Sequence, residues 1–496
     1  MSYQKLQEKY QEIGDLEHAL AILGWDEAVM MSSGGGMIRA NSLATLSAHV
    51  HRLKSDPDNE ALLGEATGDN SLNEWQRANL DQMQRDWVIA RAVPEDLVVA
   101  LSKASSNCEQ NWRYLRAEND WKAIEPLLRE VLDLTREKAN CLSEAQGVRP
   151  YDALLDLYQP GLGQASIDPV FDDLADFLPG FVDKVLDQQT PPLAMPKKIS
   201  EDKQKSLALT LMHKIGFAFE RGRLDTSHHP FCGGVPDDTR ITTRYNKDNF
   251  LDSLMAVLHE TGHALYEQGL PVDWRGQPVG AALGMAMHES QSLLMEMQVC
   301  RGKEFLNFAA PYMRRELAGG DHEAAAFTAE NLHAHSIRVS RGLIRVYADE
   351  LTYPLHVILR YELEKDLLSG TLDVSDLPEA WDTRMRGYLG VSTLGNDKDG
   401  CMQDVHWYAG LVGYFPTYSL GAITAAQIFA SAVKDNVDIK PGIERGDFKP
   451  LLGWLRRNVH GKGCLLSADQ LLNDITGASL GTQAFKQHLQ NRYMQN

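Results

Sequence analysis

From Tyr3 to about Met30 apolar residues recur at helical spacing, at Leu6, Tyr10, Ile13, Leu16, Ala19, Leu20 and Leu23, and such patterns return along most of the chain. A sequence patterned this way folds as a mainly α protein. The breaks fall at Ser32 to Gly36, at Pro160 to Gly163 and between Gln188 and Pro196. Each reads as a loop between helices, because none is long or polar enough for a flexible linker. Residues 1–496 are therefore taken as one helical domain. One stretch differs: Thr239 to Tyr245 is rich in β-branched residues and predicts a strand, so a small β-sheet accompanies the helices. Its edge is expected to be free to pair with an extended peptide.

Directly after that strand, Asn249 to about Gln268 carries apolar residues at Phe250, Leu251, Leu254, Met255, Leu258 and Leu265, the pattern of a buried helix. Inside it stands His259-Glu260-Thr261-Gly262-His263. Residues four apart share a helix face, so both imidazoles point at one spot and can bind one zinc ion. Glu260 is placed to reach a water activated there. Zinc lowers the pKa of such a water to about 7, and a carboxylate base then makes it a usable nucleophile. Two histidines and a glutamate on an apolar helix are costly to bury without a role.

Catalytic zinc usually takes three protein ligands. After a loop marked by Pro271 and Pro278, a second apolar helix from about Ala281 to Cys300 carries His288-Glu289-Ser290-Gln291. An antiparallel return would bring it past His263, which makes Glu289 the first choice for the third ligand and leaves Glu296 and Glu267 as competitors.

The balance of 43% hydrophobic and 24% charged residues is that of a globular protein, and the net charge of −19 repels nucleic acid and anionic membrane surfaces. We expect neither as a partner. No basic-then-apolar N-terminal segment and no membrane-length apolar run is present, which predicts a cytoplasmic protein. Six cysteines, spread singly, read as free thiols, with Cys232 near the chemistry only as a lesser reading. His333 and His335, two apart, face different sides of a helix and read as structural or surface residues.

Six motifs occur in order: His229-Pro230-Phe231; Asp238-Thr239-Arg240-Ile241-Thr242; His259 to His263; His288-Glu289-Ser290-Gln291; Ile344-Arg345-Val346-Tyr347-Ala348-Asp349; and Gly400-Cys401-Met402-Gln403-Asp404-Val405-His406-Trp407. In these the chain resembles the metallocarboxypeptidases typified by carboxypeptidase Taq. The resemblance implies an almost wholly helical fold, similar to neurolysin and angiotensin-converting enzyme, with zinc at the floor of a long groove. It also implies a cytoplasmic homodimer that removes single residues from peptide C-termini with broad specificity. By motif match His259, His263 and Glu289 hold the metal, zinc or else cobalt, and Glu260 is the base.

Hydrolysis passes through an oxyanion that needs donors. Tyr414 and Tyr418 follow His406 at the interval at which related helical zinc peptidases place them. Tyr418 is assigned to the oxyanion, His406 to the oxyanion or a substrate carbonyl, and Tyr414 and His229 to substrate binding. Trimming C-termini requires a cation for the terminal carboxylate, which a guanidinium matches best. Arg345 is the first candidate and Arg240 the second, the alternative being ion pairs with Asp349 and Asp238. The rival functions are a zinc oligopeptidase that cuts internal bonds and a zinc-stabilised peptide-binding scaffold without catalysis. Glu260 argues against the scaffold, since a structural site has no use for an unbound carboxylate.

Overall fold

Helices follow one another from Ser2–Val29 to Glu201–Ile215 in the computed structural model, which describes residues 2–494. The expected breaks fall between helices: a tight turn at Ser33–Gly35, the link between Pro150–Tyr158 and Gln164–Gln188, and an irregular stretch before Glu201. The apolar stripe of the first helix, Leu6, Tyr10 and Ile13 among it, is buried against Leu63, Leu80 and Met83 of its neighbours. All six cysteines are free thiols.

Three short strands interrupt the helices: β1 (Gly222–Thr226), β2 (Phe231–Val235) and β3 (Asp238–Thr243). The order is β1-β3-β2, with β1 parallel and β2 antiparallel to β3. The strand expected from sequence is thus the central one, with both of its edges already paired. The expected free edge is corrected accordingly: β-branched density marks a strand with neighbours on both sides. Successive side chains of β3 face opposite ways. Ile241 packs with Val257 and Ala264 of the helix Phe250–Glu267, hereafter the metal helix. Arg240 faces the other side, with its guanidinium 4.3 Å from the ring centre of Trp25 on the first helix.

A chain reversal through Pro271 and Pro278 leads into the return helix Gly284–Leu293, which continues without a break as a π-helical segment, Leu294–Cys300. The second helix expected from sequence therefore changes its winding halfway. Two large apolar clusters meet at the return helix: Ala286 belongs to one and Met287 and Leu293 to the other. Gly262 permits this close approach, because a β-carbon there would lie 2.5 Å from the Gln291 carbonyl oxygen. Among the described residues no helix is long and apolar enough to cross a membrane.

Candidate active site

The metal helix and the return helix bring His259, His263 and Glu289 together, with one donor atom from each lying within 4.8 Å of the others. Glu289 Oε2 is 3.4 Å from His263 Nε2 and 3.8 Å from His259 Nε2. Two imidazole nitrogens and one carboxylate oxygen form the donor set of a catalytic zinc site, and the residues present fit such an ion. Gly421, on the helix Pro416–Asp435, closes the third side, since a β-carbon there would sit 2.7 Å from Glu289 Cγ.

Each histidine is oriented through its other nitrogen, as ligand imidazoles generally are. His259 Nδ1 donates to Glu296 Oε2 at 2.9 Å, and Glu296 Oε1 accepts from Arg301 Nη2 at 2.8 Å. His263 Nδ1 is 2.6 Å from His288 Nδ1, while His288 Nε2 is 2.7 Å from Glu267 Oε1. The carboxylate can only accept, so His288 donates to it from Nε2, which leaves His288 Nδ1 placed to accept from His263 Nδ1–H. In their neutral, metal-binding form both ligand candidates present bare Nε2 atoms toward Glu289. The sequence competitors Glu296 and Glu267 thus stand behind the histidines, not among the converging donors.

Electrostatics follow from burial and crowding. Burial would lower the His259 pKa, but Glu289 and Glu296 outweigh it and hold it up at about 10. Burial takes His263 down to about 4. Glu289 is buried, which raises its pKa, yet His259 and His263 keep it below the ordinary carboxylate value. Glu260 is 7% exposed and makes no hydrogen bond among the described residues. Burial lifts its carboxyl to about 7. Cys232 on β2 has its thiol pushed well up by burial and then by Glu260 and Glu267, the opposite of what a reactive cysteine needs.

On the far side lies an aromatic and cationic cluster. His406 Nε2 is 3.1 Å from the Tyr418 hydroxyl, and the Tyr414 ring stands 5.6 Å from His406 and 5.3 Å from Tyr418. Burial, and next Glu289, raise the Tyr414 hydroxyl to about 12, and burial lifts Tyr418 further, so both remain donors. Burial lowers His406 to about 4. Arg345, 4% exposed, pairs with Asp404 at 2.8 Å, donates to the Tyr353 hydroxyl and stacks 4.9 Å from the Tyr418 ring. Its partner is thus Asp404; Asp349, the ion-pair partner weighed from sequence, accepts instead from the backbone amides of Ser340, Leu351 and Thr352. Arg360, fully buried, takes the other Asp404 oxygen at 2.6 Å.

The two remaining substrate candidates stand apart. Arg240 pairs with Asp238 at 2.8 Å, the alternative already open in the sequence, and stacks on Trp25. His229 is exposed in the loop between β1 and β2, where its carbonyl accepts from Ser227. No hydrogen bond, ion pair or ring contact joins either to the cluster among the described residues.

Sequence reasoning missed His288, Arg360, Asp404 and Glu364 as parts of this architecture. Glu364, fully buried, accepts from Trp407 Nε1 at 2.7 Å, Gly413 N at 2.9 Å and Tyr151 Oη at 2.6 Å. It ties Trp407, next to His406, and Gly413, next to Tyr414, to the helix Tyr353–Ser369. Sequence offered no clear signal, since Leu355 to Leu367 carries Arg360, Glu362, Glu364, Lys365 and Asp366 among its apolar residues and nothing marks which of them are buried.

A histidine pair on a buried helix, closed by a carboxylate from an antiparallel neighbour and faced by a free carboxylate, defines a metallopeptidase site. The sequence profile of the carboxypeptidase Taq (M32) metallopeptidases matches residues 5–493. Thermostable carboxypeptidase 1 of Thermus thermophilus is 38% identical, over 99% of this chain and 98% of the relative. Among solved structures, Trypanosoma cruzi metallocarboxypeptidase 1 superposes with a TM-score of 0.96 at 38% identity, covering 100% of this chain and 99% of that one. The M32 carboxypeptidase of Deinococcus radiodurans R1 gives 0.94 at 32%, covering 99% and 98%. The chain belongs to the carboxypeptidase Taq (M32) metallopeptidase family and is a metallocarboxypeptidase.

Proposed function

We propose that His259, His263 and Glu289 hold a zinc ion, that Glu260 is the general base, and that the enzyme releases C-terminal residues with broad specificity. The observation that carries this reading is the convergence of two Nε2 atoms and one carboxylate oxygen within 4.8 Å, beside an unbonded carboxylate. When bound, zinc supplies Lewis acidity that makes a water acidic near neutral pH and polarises the scissile carbonyl. Cobalt suits the same donors and is the alternative metal.

Glu260 takes the proton of the attacking water and returns it to the leaving amine. Tyr418 donates toward the oxyanion: with its proton on Nε2, His406 donates to the Tyr418 oxygen and leaves the phenolic hydrogen free. Tyr414 stands beside them against the substrate. Arg345 is the receptor for the terminal carboxylate. Arg345 and Arg360 share one carboxylate, Asp404, so the buried triad keeps one positive charge in excess. A terminal carboxylate supplies the missing negative charge, and a C-terminal amide does not. The excess charge favours trimming over internal cleavage.

As the family resemblance implies, we take the protein to be a cytoplasmic homodimer acting on peptides. The test incubates purified protein with one unmodified peptide, with and without a chelator, and reads product masses. Successive loss of single C-terminal residues, abolished by the chelator and restored by zinc, is expected. Internal fragments would establish the oligopeptidase reading instead.

A further inference from the structure

A cavity of about 410 Å³ lies behind the metal site, walled by the π-helical segment, the helices Lys303–Leu317 and Ala329–Ser336, the helix Pro416–Asp435 and the C-terminal helix Gln483–Tyr493. Its size is that of a small-molecule site. Its polar lining includes Gln298, Lys303, His333, Lys440 and Arg492 along with the carboxylate of Glu304, and Phe429, Val433 and Ile443 form an apolar wall.

The charges around it do not cancel. Lys440 is balanced by Glu304 at 3.3 Å, and Arg492, together with His488, by the buried Glu350 at 3.1 Å and 2.7 Å. Lys303 has no ion-pair partner among the described residues. Burial, then Lys303 and Arg492, hold the His333 imidazole down at about 4 against the opposing pull of Glu304. Gln298 is only 7% exposed, yet its side-chain amide bonds to no protein group among the described residues. The amide is not sealed off, because Gln298 lines the cavity and its amide can meet a polar group there. Its partner is expected from the cavity.

We infer that this cavity binds a small carboxylate with a short branched apolar chain, its oxygens taken by the Gln298 amide and the Lys303 ammonium and its chain set against Phe429, Val433 and Ile443. Both donors line the same cavity as the apolar wall, the division of labour usual in such sites. The site shares its walls with the catalytic centre. Gln298 lies on the same π-helical segment as Glu296, which orients His259, and Phe429 lies on the helix whose Gly421 abuts Glu289. π-helical turns inside α-helices occur frequently at functional sites.

The test follows the His333 ring resonance of the metal-loaded, full-length protein, assigned by its loss in His333→Asn, as 4-methylpentanoate or L-leucine is added. Saturable shifts are expected, with the His333 titration moving upward because an anion offsets Lys303 and Arg492. Lys303→Gln should weaken binding about tenfold, the worth of one charge-assisted hydrogen bond, and leave the KM for peptide unchanged. Binding of both compounds marks apolar acids in general. Binding of L-leucine alone marks the free amino acids that a carboxypeptidase releases, and either result supports the site. The inference is overturned if neither compound shifts His333, if the Gln298→Leu/Lys303→Gln double variant binds as the parent does, or if acetate binds as tightly as 4-methylpentanoate.

Discussion

Glu296 Oε2 lies 2.9 Å from Nδ1 of His259, and the other oxygen of the same carboxylate receives Arg301 Nη2 at 2.8 Å. The arrangement fixes the proton of His259 on Nδ1 and turns Nε2 toward Glu289. Partners of this kind typically govern 10- to 100-fold in metal affinity. Glu296→Gln should therefore weaken zinc binding by about that factor, measured by competition with a chromogenic chelator, while leaving the fold intact. Unchanged affinity would mean that packing alone holds the imidazole. Glu289→Ala should lose far more, since it removes a converging donor.

Glu260 is buried and makes no hydrogen bond among the described residues, so replacing it need not disturb the ligand set. Glu260→Gln should retain zinc on dialysis and lose about 10²- to 10⁴-fold in turnover, the usual share of general-base catalysis. Turnover within a few-fold of the parent would rule Glu260 out as the base.

The metal helix, its two histidines and Glu260 were legible because helical periodicity and residue type are local properties of the sequence. Glu289 was also within reach, since a short reversal through Pro271 and Pro278 forces an antiparallel return. The winding of that return helix was not: nothing in Leu294 to Cys300 distinguishes a π-helical turn from an α-helix, and the difference decides where Glu296 points. The arginines show the other limit. Arg345 and Arg240 look alike in sequence, each beside an aspartate in its motif. Their roles separate only when residues 59 apart meet, placing Arg345 on Asp404 and leaving Arg240 with its neighbour Asp238. Burial of Arg360 and Glu364 depends likewise on packing of distant helices, and their neighbours Glu362, Lys365 and Asp366 are charged as well, so nothing local marks the buried pair.

Glu364 carries a pH signature. Burial holds its carboxyl at about 7 in the folded protein, against an ordinary value of 4.5, despite the donors that lower it. Between these values the folded chain binds more protons than the unfolded chain, so stability falls as pH rises. The contribution is complete below 4.5 and is lost as pH passes through about 7, a change of roughly 3 kcal/mol. Glu364→Gln cannot titrate. Its stability relative to the parent, from urea unfolding at pH 4.5 and pH 8, should improve by roughly that amount at the higher pH. A difference independent of pH would show that Glu364 is ionised throughout.

Arg345 decides between trimming and internal cleavage. Removing it leaves the Asp404 charge balanced by Arg360 through two contacts on Oδ2, at 2.6 Å and 2.8 Å, and costs Oδ1 its guanidinium partner, so Arg345→Ala is expected to fold with reduced stability. What it removes is the excess positive charge of the triad. If that charge receives the terminal carboxylate, kcat/KM for a free-acid peptide should fall by about 1.5–3 kcal/mol, the worth of a hydrogen bond to a charged group. The slow cleavage of the matching C-terminal amide should barely change, because that substrate never offered the charge. Arg345→Lys should recover part of the loss, keeping the charge without the fork that matches two oxygens. Equal losses on acid and amide would assign Arg345 to holding Tyr353 and Tyr418 in place, a role its contacts with both rings would then explain.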